Sequence, residues 1–355
     1  MRSIVHVIDN IGLGGAQTML FELYYAINKH FPDYDQKLIV LSDRCLEKEF
    51  VSSYNVPFLL KDIKGIEKII SSLKKPIIFY HILRNSRSYS YKILDIIRNK
   101  FTLPIIAISH TFGSFCLLPK LGNLDCFVFV CKRMKKDYKH SVSYYNKDLK
   151  TVVIRNGANS DRYEKIQPKE RKKDYFLTGR INRICRWKHS NSWLEWCSKV
   201  KLNKRMRHEY IGAGIRGSEK VSKDFVKNLS HSSINKVKML GKVKNFNKKI
   251  SIIKSWDVFL YETNNPEGIS MAILEALACG VPVVCSNHYG NKEIIENGIN
   301  GYVFKGRNEA KDILNDLCNN KDKLETLKKT TKEHFKNNLN GNIWAKKYID
   351  LVNTL

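Results

Sequence analysis

The 355-residue sequence predicts an α/β protein made of two doubly wound units of parallel strands. Short apolar runs alternate with helix-compatible segments, the first run opens into a glycine-rich loop, and the alternation restarts after a turn near residue 156. The length agrees, since about 150 residues per domain favours two domains over one.

Residues 3–9 (SIVHVID) lead into Asn10-Ile11-Gly12-Leu13-Gly14-Gly15, then into a helical stretch from about Ala16 to His30. Strand, glycine loop and helix in that order open a doubly wound sheet. Further strands are expected over 37–42, 56–60, 76–81, 103–110 and 127–131. The run 151–157 closes the set at Asn156-Gly157, a strong turn signal. These runs are almost wholly apolar, as strands buried on both faces require. The second set of strands is expected over 174–179, 208–214, 236–241, 256–262, 281–286 and 301–304. From about 307 to 355 there is no proline and the composition favours helix. Two such units, hinged near 156–165, suggest a ligand held in a cleft at the carboxyl ends of their strands.

Composition narrows the function. The formal net charge is +28, which directs attention to anionic partners. The excess is uneven: residues 1–155 hold 24 basic and 13 acidic side chains, 156–254 hold 26 and 8, and 255–355 hold 12 and 13. It is densest around 165–173 and 201–208, so it is no basic tail. No apolar run approaches the roughly 18–20 residues of a membrane span, and His6, Asp9 and Asn10 interrupt the apolar N-terminus where a secretory leader would be continuous. Nine cysteines without a CxxC pair argue against structural zinc and for reduced thiols in a cytoplasmic protein.

The most informative stretch runs from Asn264 to Val284. A helix is expected from about Gly268 to Cys279, ended by Gly280 and Pro282. Amides at its start would make an anion site. Glu267 precedes it, and Glu275, eight residues on, would stand roughly 12 Å along the axis. That is too far for the paired carboxylates of a retaining glycosidase, which lie about 5 Å apart. The two could grip two parts of one extended ligand. Glu275 interrupts the apolar run MAILEALA, where an unpaired carboxylate is costly.

Pro266-Glu267-Gly268-Ile269-Ser270, followed by Leu274-Glu275-Ala276, Gly280 and Pro282-Val283-Val284, resembles the Glu-x7-Glu signature of retaining glycosyltransferases of the GT-B fold, family 4. Gly290-Asn291-Lys292-Glu293 through Gly301-Tyr302-Val303, the loop Gly12 to Gln17, Asn156-Gly157-Ala158 and Thr178-Gly179-Arg180 resemble further family motifs in the right order. The resemblance implies two Rossmann-like domains facing across a cleft. An acceptor domain would span 1–155, with a helix of about 338–355 packing back on it, and a donor domain 156–337. It implies that Glu267 meets the donor sugar, beside Gly268, Ile269 and Ser270. Glu275 would bind the ribose, and Arg180 and Lys188 would neutralise the diphosphate. Gly14 and Gly15 would approach the phosphates or the acceptor, and His110 would be the active-site histidine, with His81 the runner-up. Gln17 stands where the family has Glu, Asn159 where Asp is common, and the Arg180-to-Lys188 spacing is long. Arg183 or Arg186 could therefore carry the second phosphate contact.

Two motifs are set aside. Asp33-Tyr34-Asp35 matches a metal-binding Asp-x-Asp, but it joins a helix to the next strand at the edge opposite a ligand crevice. Gly12-x-Gly14 lacks the third glycine of a nicotinamide fingerprint, since Gln17 occupies that position. The segment 132–139 reads as a basic helix with Met134 and Tyr138 facing inward, or as a surface touching anionic lipid.

The expected activity is retaining transfer of a hexose or N-acetylhexosamine from a nucleotide-diphosphate sugar, UDP favoured. The acceptor is a glycan, a lipid-linked or a small molecule; no metal and no nucleic acid is expected. The alternatives are another GT-B chemistry, such as a nucleotide-sugar epimerase or a phosphorylase, and a basic nucleic-acid-binding protein. The last would need aromatic residues interleaved with the charge, which the sequence does not display.

Overall fold

The computed structural model describes residues 2–42, 46–60, 62–83, 96–110, 112, 124–145, 148–171, 175–184, 188, 191–212, 223–224, 227, 235–263 and 266–355. The chain divides into two compact units. The first comprises Met1–Asn159, Glu267–Met271 and Asn340–Leu355; the second comprises Ser160–Pro266 and Ala272–Leu339.

The first unit holds a seven-stranded parallel sheet: β1 (Ser3–Ile8), β2 (Asp35–Val40), β3 (Leu59–Leu60), β4 (Pro76–Ile82), β5 (Ile105–Ser109), β6 (Cys126–Phe129) and β7 (Lys150–Val153). Their spatial order is β3-β2-β1-β4-β5-β6-β7. The order reverses between β1 and β4, so the carboxyl ends of those two strands flank the crevice where doubly wound sheets bind ligands. β1 and β4 are buried along their whole length, as their largely apolar runs require, and they carry His6 and His81 inside. The helix Gly341–Asn353 belongs to this unit, with Tyr348 packed 5.6 Å from Phe79 of β4. Its first residue sits where a Cβ would lie 1.9 Å from Asn159 Oδ1, a position open only to glycine. Asn159, fully buried, donates its backbone N–H and its amide to the Glu22 carboxylate at 2.9 and 2.6 Å.

The second unit holds a six-stranded parallel sheet: β8 (Phe176–Ile181), β9 (Met206–Ile211), β10 (Lys236–Gly241), β11 (Val258–Tyr261), β12 (Val283–Ser286) and β13 (Gly301–Phe304). The order β10-β9-β8-β11-β12-β13 reverses between β8 and β11. Gly179 permits this join, because a Cβ there would lie 2.0 Å from the Trp256 ring. Trp193, Val258, Leu260, Val284, Phe304 and Leu314 lie in the core of this unit. Residues 307–338 form two helices, Arg307–Asn319 and Lys321–Asn338, separated by Asn320, whose side chain caps the second by accepting from the Lys323 N–H.

The strands stand where the apolar runs put them, with shifted bounds: of 56–60 only Leu59–Leu60 is strand, and the strand expected over 151–157 is Lys150–Val153. One helix differs. The expected start at Gly268 is wrong; the helix runs Met271–Ala278. A Cβ on Gly268 would lie 2.8 Å from Val130 Cγ2 and 3.4 Å from Met134 Cε. Packing of that segment against the first unit wins over continuation of the helix. The axial estimate of 12 Å between Glu267 and Glu275 therefore does not apply.

Candidate functional site

The carboxyl edge of the first sheet gathers the glycine loop and two of the predicted histidine positions. Gly14 caps the helix Gly15–His30 in an extended conformation, without a side-chain cap. Gln17 spans the loop, its amide donating to Asn10 O at 3.2 Å and Asn10 Oδ1 at 3.3 Å. Its role is to brace the loop with a neutral amide. The segment Glu267–Met271 lies against the same edge. A Cβ on Gly15 would reach Met271 Cγ at 4.0 Å, one on Gly268 would stand 3.8 Å from the His110 carbonyl oxygen, and Asn156 donates to Ile269 O at 3.4 Å. Glu267 and Ser270 are half-buried here, Gly268 and Ile269 buried.

Behind His110 the structure adds a feature absent from the sequence reading. His81 Nδ1 lies 3.0 Å from His110 Nε2, His81 Nε2 lies 3.0 Å from His6 Nδ1, and His6 Nε2 lies 3.1 Å from Gln36 Oε1. The His81 and His110 rings stack within 9° of parallel. His6 and His81 have no exposed surface. Burial pushes the His6 imidazole down to about 4, opposed by its hydrogen bond to Gln36. His81 is held well below the usual histidine range by burial and by the neighbouring His110 and His6, and burial lowers His110 as well. All three rings are neutral at physiological pH. His110 and His81 are thus not alternatives but successive members of one chain.

At the carboxyl edge of the second sheet, Arg180 is the penultimate residue of β8 and is completely buried. Its Cζ sits 4.6 Å from the Tyr261 ring centroid, 5.9 Å from Tyr210 and 6.0 Å from Trp193. Nε donates to Asn182 Oδ1 at 3.1 Å and Nη2 to the Lys188 carbonyl at 2.5 Å. Nη1 has no hydrogen-bond acceptor among the described residues. Lys188 therefore meets Arg180 through its backbone oxygen, which also accepts from Asn182 Nδ2 at 2.7 Å. Asn182 was not singled out from the sequence, although it stands two residues beyond Arg180 and so on the same side of the strand. Arg183 is exposed, and Arg186 lies outside the described residues, as do Asn264 and Asn265.

Glu275 is buried and ion-paired with Lys249 Nζ at 2.6 Å, Lys249 itself being only 8% exposed. Lys249 comes from the helix Phe246–Lys254. It lies on the stripe of Phe246, Ile250 and Ile253, where an inward lysine among apolar positions is a readable signal. Beyond β11, Thr263 N donates to Ser286 Oγ at 3.0 Å, and that hydroxyl donates back to Thr263 O at 3.2 Å. The ends of β11 and β12 are thereby tied together just before the Glu267 segment.

The Asp-x-Asp motif lies elsewhere. Asp35 begins β2 at its amino end and pairs with Lys37 at 3.0 Å. Met134 and Tyr138 are fully buried, which accounts for the pattern of the helix Lys132–Tyr145. Among the described residues no group of three or more His, Cys, Asp or Glu could hold a metal ion, and no helix is long and apolar enough to cross a membrane.

Two parallel α/β sheets with this order match solved GT-B glycosyltransferases. The Anabaena protein HepE, solved with UDP and glucose, superposes with a TM-score of 0.77 over 99% of this chain and 100% of its own, at 16% identity. Sucrose-phosphate synthase of Thermosynechococcus elongatus gives 0.76 over 100% and 99%, at 13% identity. Residues 161–334 match the family described as Glycosyl transferases group 1, so this stretch is a group 1 glycosyltransferase domain. Among curated relatives, an uncharacterized glycosyltransferase of Methanocaldococcus jannaschii is 25% identical over 57% of this chain and 52% of its own length. Spore coat protein SA of Bacillus subtilis is 34% identical over 23% of this chain and 22% of its own. A second uncharacterized M. jannaschii glycosyltransferase is 27% identical over 84% of both chains. The chain thus spans about half or less of the first two relatives' lengths.

Proposed function

We propose that this protein is a retaining glycosyltransferase of family 4 that moves a hexose or N-acetylhexosamine from a UDP-sugar to a hydroxyl of a glycan, lipid-linked or small-molecule acceptor. The observation that carries the reading is Arg180: a buried guanidinium at the switch point of the group 1 domain, with one N–H unsatisfied among the described residues. A buried donor of that kind calls for an anionic oxygen, and a diphosphate supplies it. HepE, with the same fold, binds UDP and UDP-glucose, which supports UDP over other nucleotides.

Arg180 stabilises the departing diphosphate, with Lys188 contributing charge beside it. Glu267 hydrogen-bonds the donor sugar, with Gly268, Ile269 and Ser270 lining its place. Glu275 accepts from the ribose, and Gly14 and Gly15 allow close approach of the ligand backbone to the loop. The leaving phosphate assists deprotonation of the acceptor hydroxyl, giving same-face transfer without a covalent enzyme nucleophile. Fixed cations replace a divalent ion, so transfer persists in EDTA. The product belongs to surface polysaccharide or glycoconjugate synthesis at the cytoplasmic side of a membrane, with the basic surface favouring anionic lipid.

A thermal-shift series with UDP, GDP, ADP and CMP tests the donor class, because a ligand bound only by the native state raises its Tm. UDP should give the largest shift; no shift with any nucleotide overturns the reading. Calorimetry with free UDP then separates the glutamates. Glu275→Gln should weaken binding by about 1–3 kcal/mol for a lost buried acceptor. Glu267→Gln should leave UDP affinity nearly intact and lower kcat.

A further inference from the structure

We infer that Gln36, His6 and His81 are positioning residues that hold His110 in a single tautomer, with its Nδ1 lone pair presented to a hydroxyl of the bound substrate. The strand register builds the chain. Gln36 of β2 stands opposite Ile4 of β1, and His6 is two residues further on. His6 stands opposite Phe79 of β4, and His81 is two residues further on. His81 stands opposite Ile108 of β5, and His110 is again two residues further on. Side chains alternate along a strand with period two, so all four groups share one face. They climb diagonally across four adjacent strands to the carboxyl edge.

The chain has a direction, set at its buried end. The Gln36 amide nitrogen donates to the Tyr24 carbonyl oxygen at 3.0 Å, so the amide oxygen is the atom turned to His6. An amide oxygen only accepts, and His6 Nε2 must therefore carry the proton. A neutral imidazole has one N–H, so His6 Nδ1 accepts from His81 Nε2–H. By the same count His81 Nδ1 accepts from His110 Nε2–H. Reversing any single link would face two lone pairs or two N–H groups across 3.0 Å in a buried site, which is costly. The last nitrogen, His110 Nδ1, is left as an acceptor. Gln36 cannot take up a proton, so the chain orients and does not drain charge.

A lone pair accepts from a hydroxyl and repels a phosphate or carboxylate oxygen. His110 is thereby matched to the sugar part of a ligand and not to its diphosphate. The identity of that ligand rests on the glycosyltransferase reading; the tautomer does not.

The test is long-range 15N–1H NMR of the histidine rings in the full chain, read for the wild type, Gln36→Glu and His81→Leu. In the wild type His110 Nδ1 should show a pyridine-type shift and Nε2 a pyrrole-type shift. In Gln36→Glu the carboxylate holds a doubly protonated His6, whose Nδ1–H now donates to His81. Every link then reverses, and the two His110 shifts should interchange although the substitution is three side chains away. His81→Leu removes the partner of His110 and should give averaged shifts for a tautomer mixture; it also serves if Gln36→Glu fails to fold. The Gln36→Glu enzyme should lose roughly tenfold or more in kcat/KM, as an acceptor becomes a donor. A wild-type His110 protonated on Nδ1, or shifts identical in all three proteins, overturns the proposal. Interchanged shifts with undiminished kcat/KM overturn the hydroxyl assignment. None of the NMR readouts depends on nucleotide binding, whose failure would instead remove the glycosyltransferase reading.

Discussion

The two sheets reverse strand order at the same topological place, yet they furnish it with opposite chemistry. At the edge of the first sheet stand glycines, a braced glutamine and a file of neutral imidazoles. At the edge of the second stand a buried guanidinium and a buried ammonium–carboxylate pair. The amide and imidazole groups of the first edge suit hydroxyl groups, whose recognition depends on donor and acceptor sense. The charged edge suits anionic groups and hydrogen-bond donors, whose recognition depends on field and on fixed acceptors. One topology thus carries two chemistries, and the division follows from which residues sit at the strand ends.

The largest effect that sharpens this contrast should come from the Lys249–Glu275 pair. Removing one partner of a desolvated pair leaves a buried charge and typically costs about 3–5 kcal/mol. Lys249→Met should lower the urea midpoint accordingly, and the double variant with Glu275→Gln should recover most of the loss. A mild single variant would show that the second edge is better hydrated than its burial implies. Next, Arg180→Ala should remove about 2–4 kcal/mol of transition-state stabilisation, a roughly hundredfold or greater loss of kcat. Arg183→Ala should stay within a few fold, since Arg183 is exposed; the opposite ranking would move the phosphate contact to Arg183.

For the file of imidazoles the informative variable is pH. The His6 imidazole sits at about 4 in the folded protein against 6.5 ordinarily. The unfolded chain therefore binds more protons below 6.5, and stability, complete above that pH, declines between about 6.5 and 4. Each such histidine contributes up to about 1.4 kcal/mol per pH unit. Urea unfolding at pH 7 and pH 5 should show the decline, and His81→Gln should flatten it; a pH-independent midpoint would mean that the imidazoles are hydrated. The smallest expected effect is Gly268→Ala. Its new methyl meets Val130 Cγ2 at 2.8 Å, an overpacking of about 1–3 kcal/mol that should shift the Glu267 segment and raise the donor KM.

Much of the fold was legible because strands buried on both faces are largely apolar, as β4, β5, β6, β11 and β12 are, and the alternation with helices carried the rest. Arg180 and the two glutamates were legible through motif spacing. The start of the helix at Met271 was not, because the contact that ends the loop, Gly268 on Val130, joins residues 138 positions apart. Lys249 was readable in principle, as a cation on an apolar stripe. His6 was not, since a histidine inside a doubly buried strand breaks no periodicity, and its partners Gln36 and His81 become neighbours only through register.

The first unit is stitched from three separate stretches of chain, Met1–Asn159, Glu267–Met271 and Asn340–Leu355. During synthesis its opening 159 residues emerge first, but the surface that receives Trp344 and Tyr348 stays uncovered until the ribosome has produced the whole second unit. The unit that begins first is therefore finished last. In the interval Phe79 and the inner face of the helix Gly15–His30 are exposed to chaperones and to other nascent chains, while the second unit lacks only Glu267–Met271, which lies with the first, and can condense as soon as Leu339 is clear.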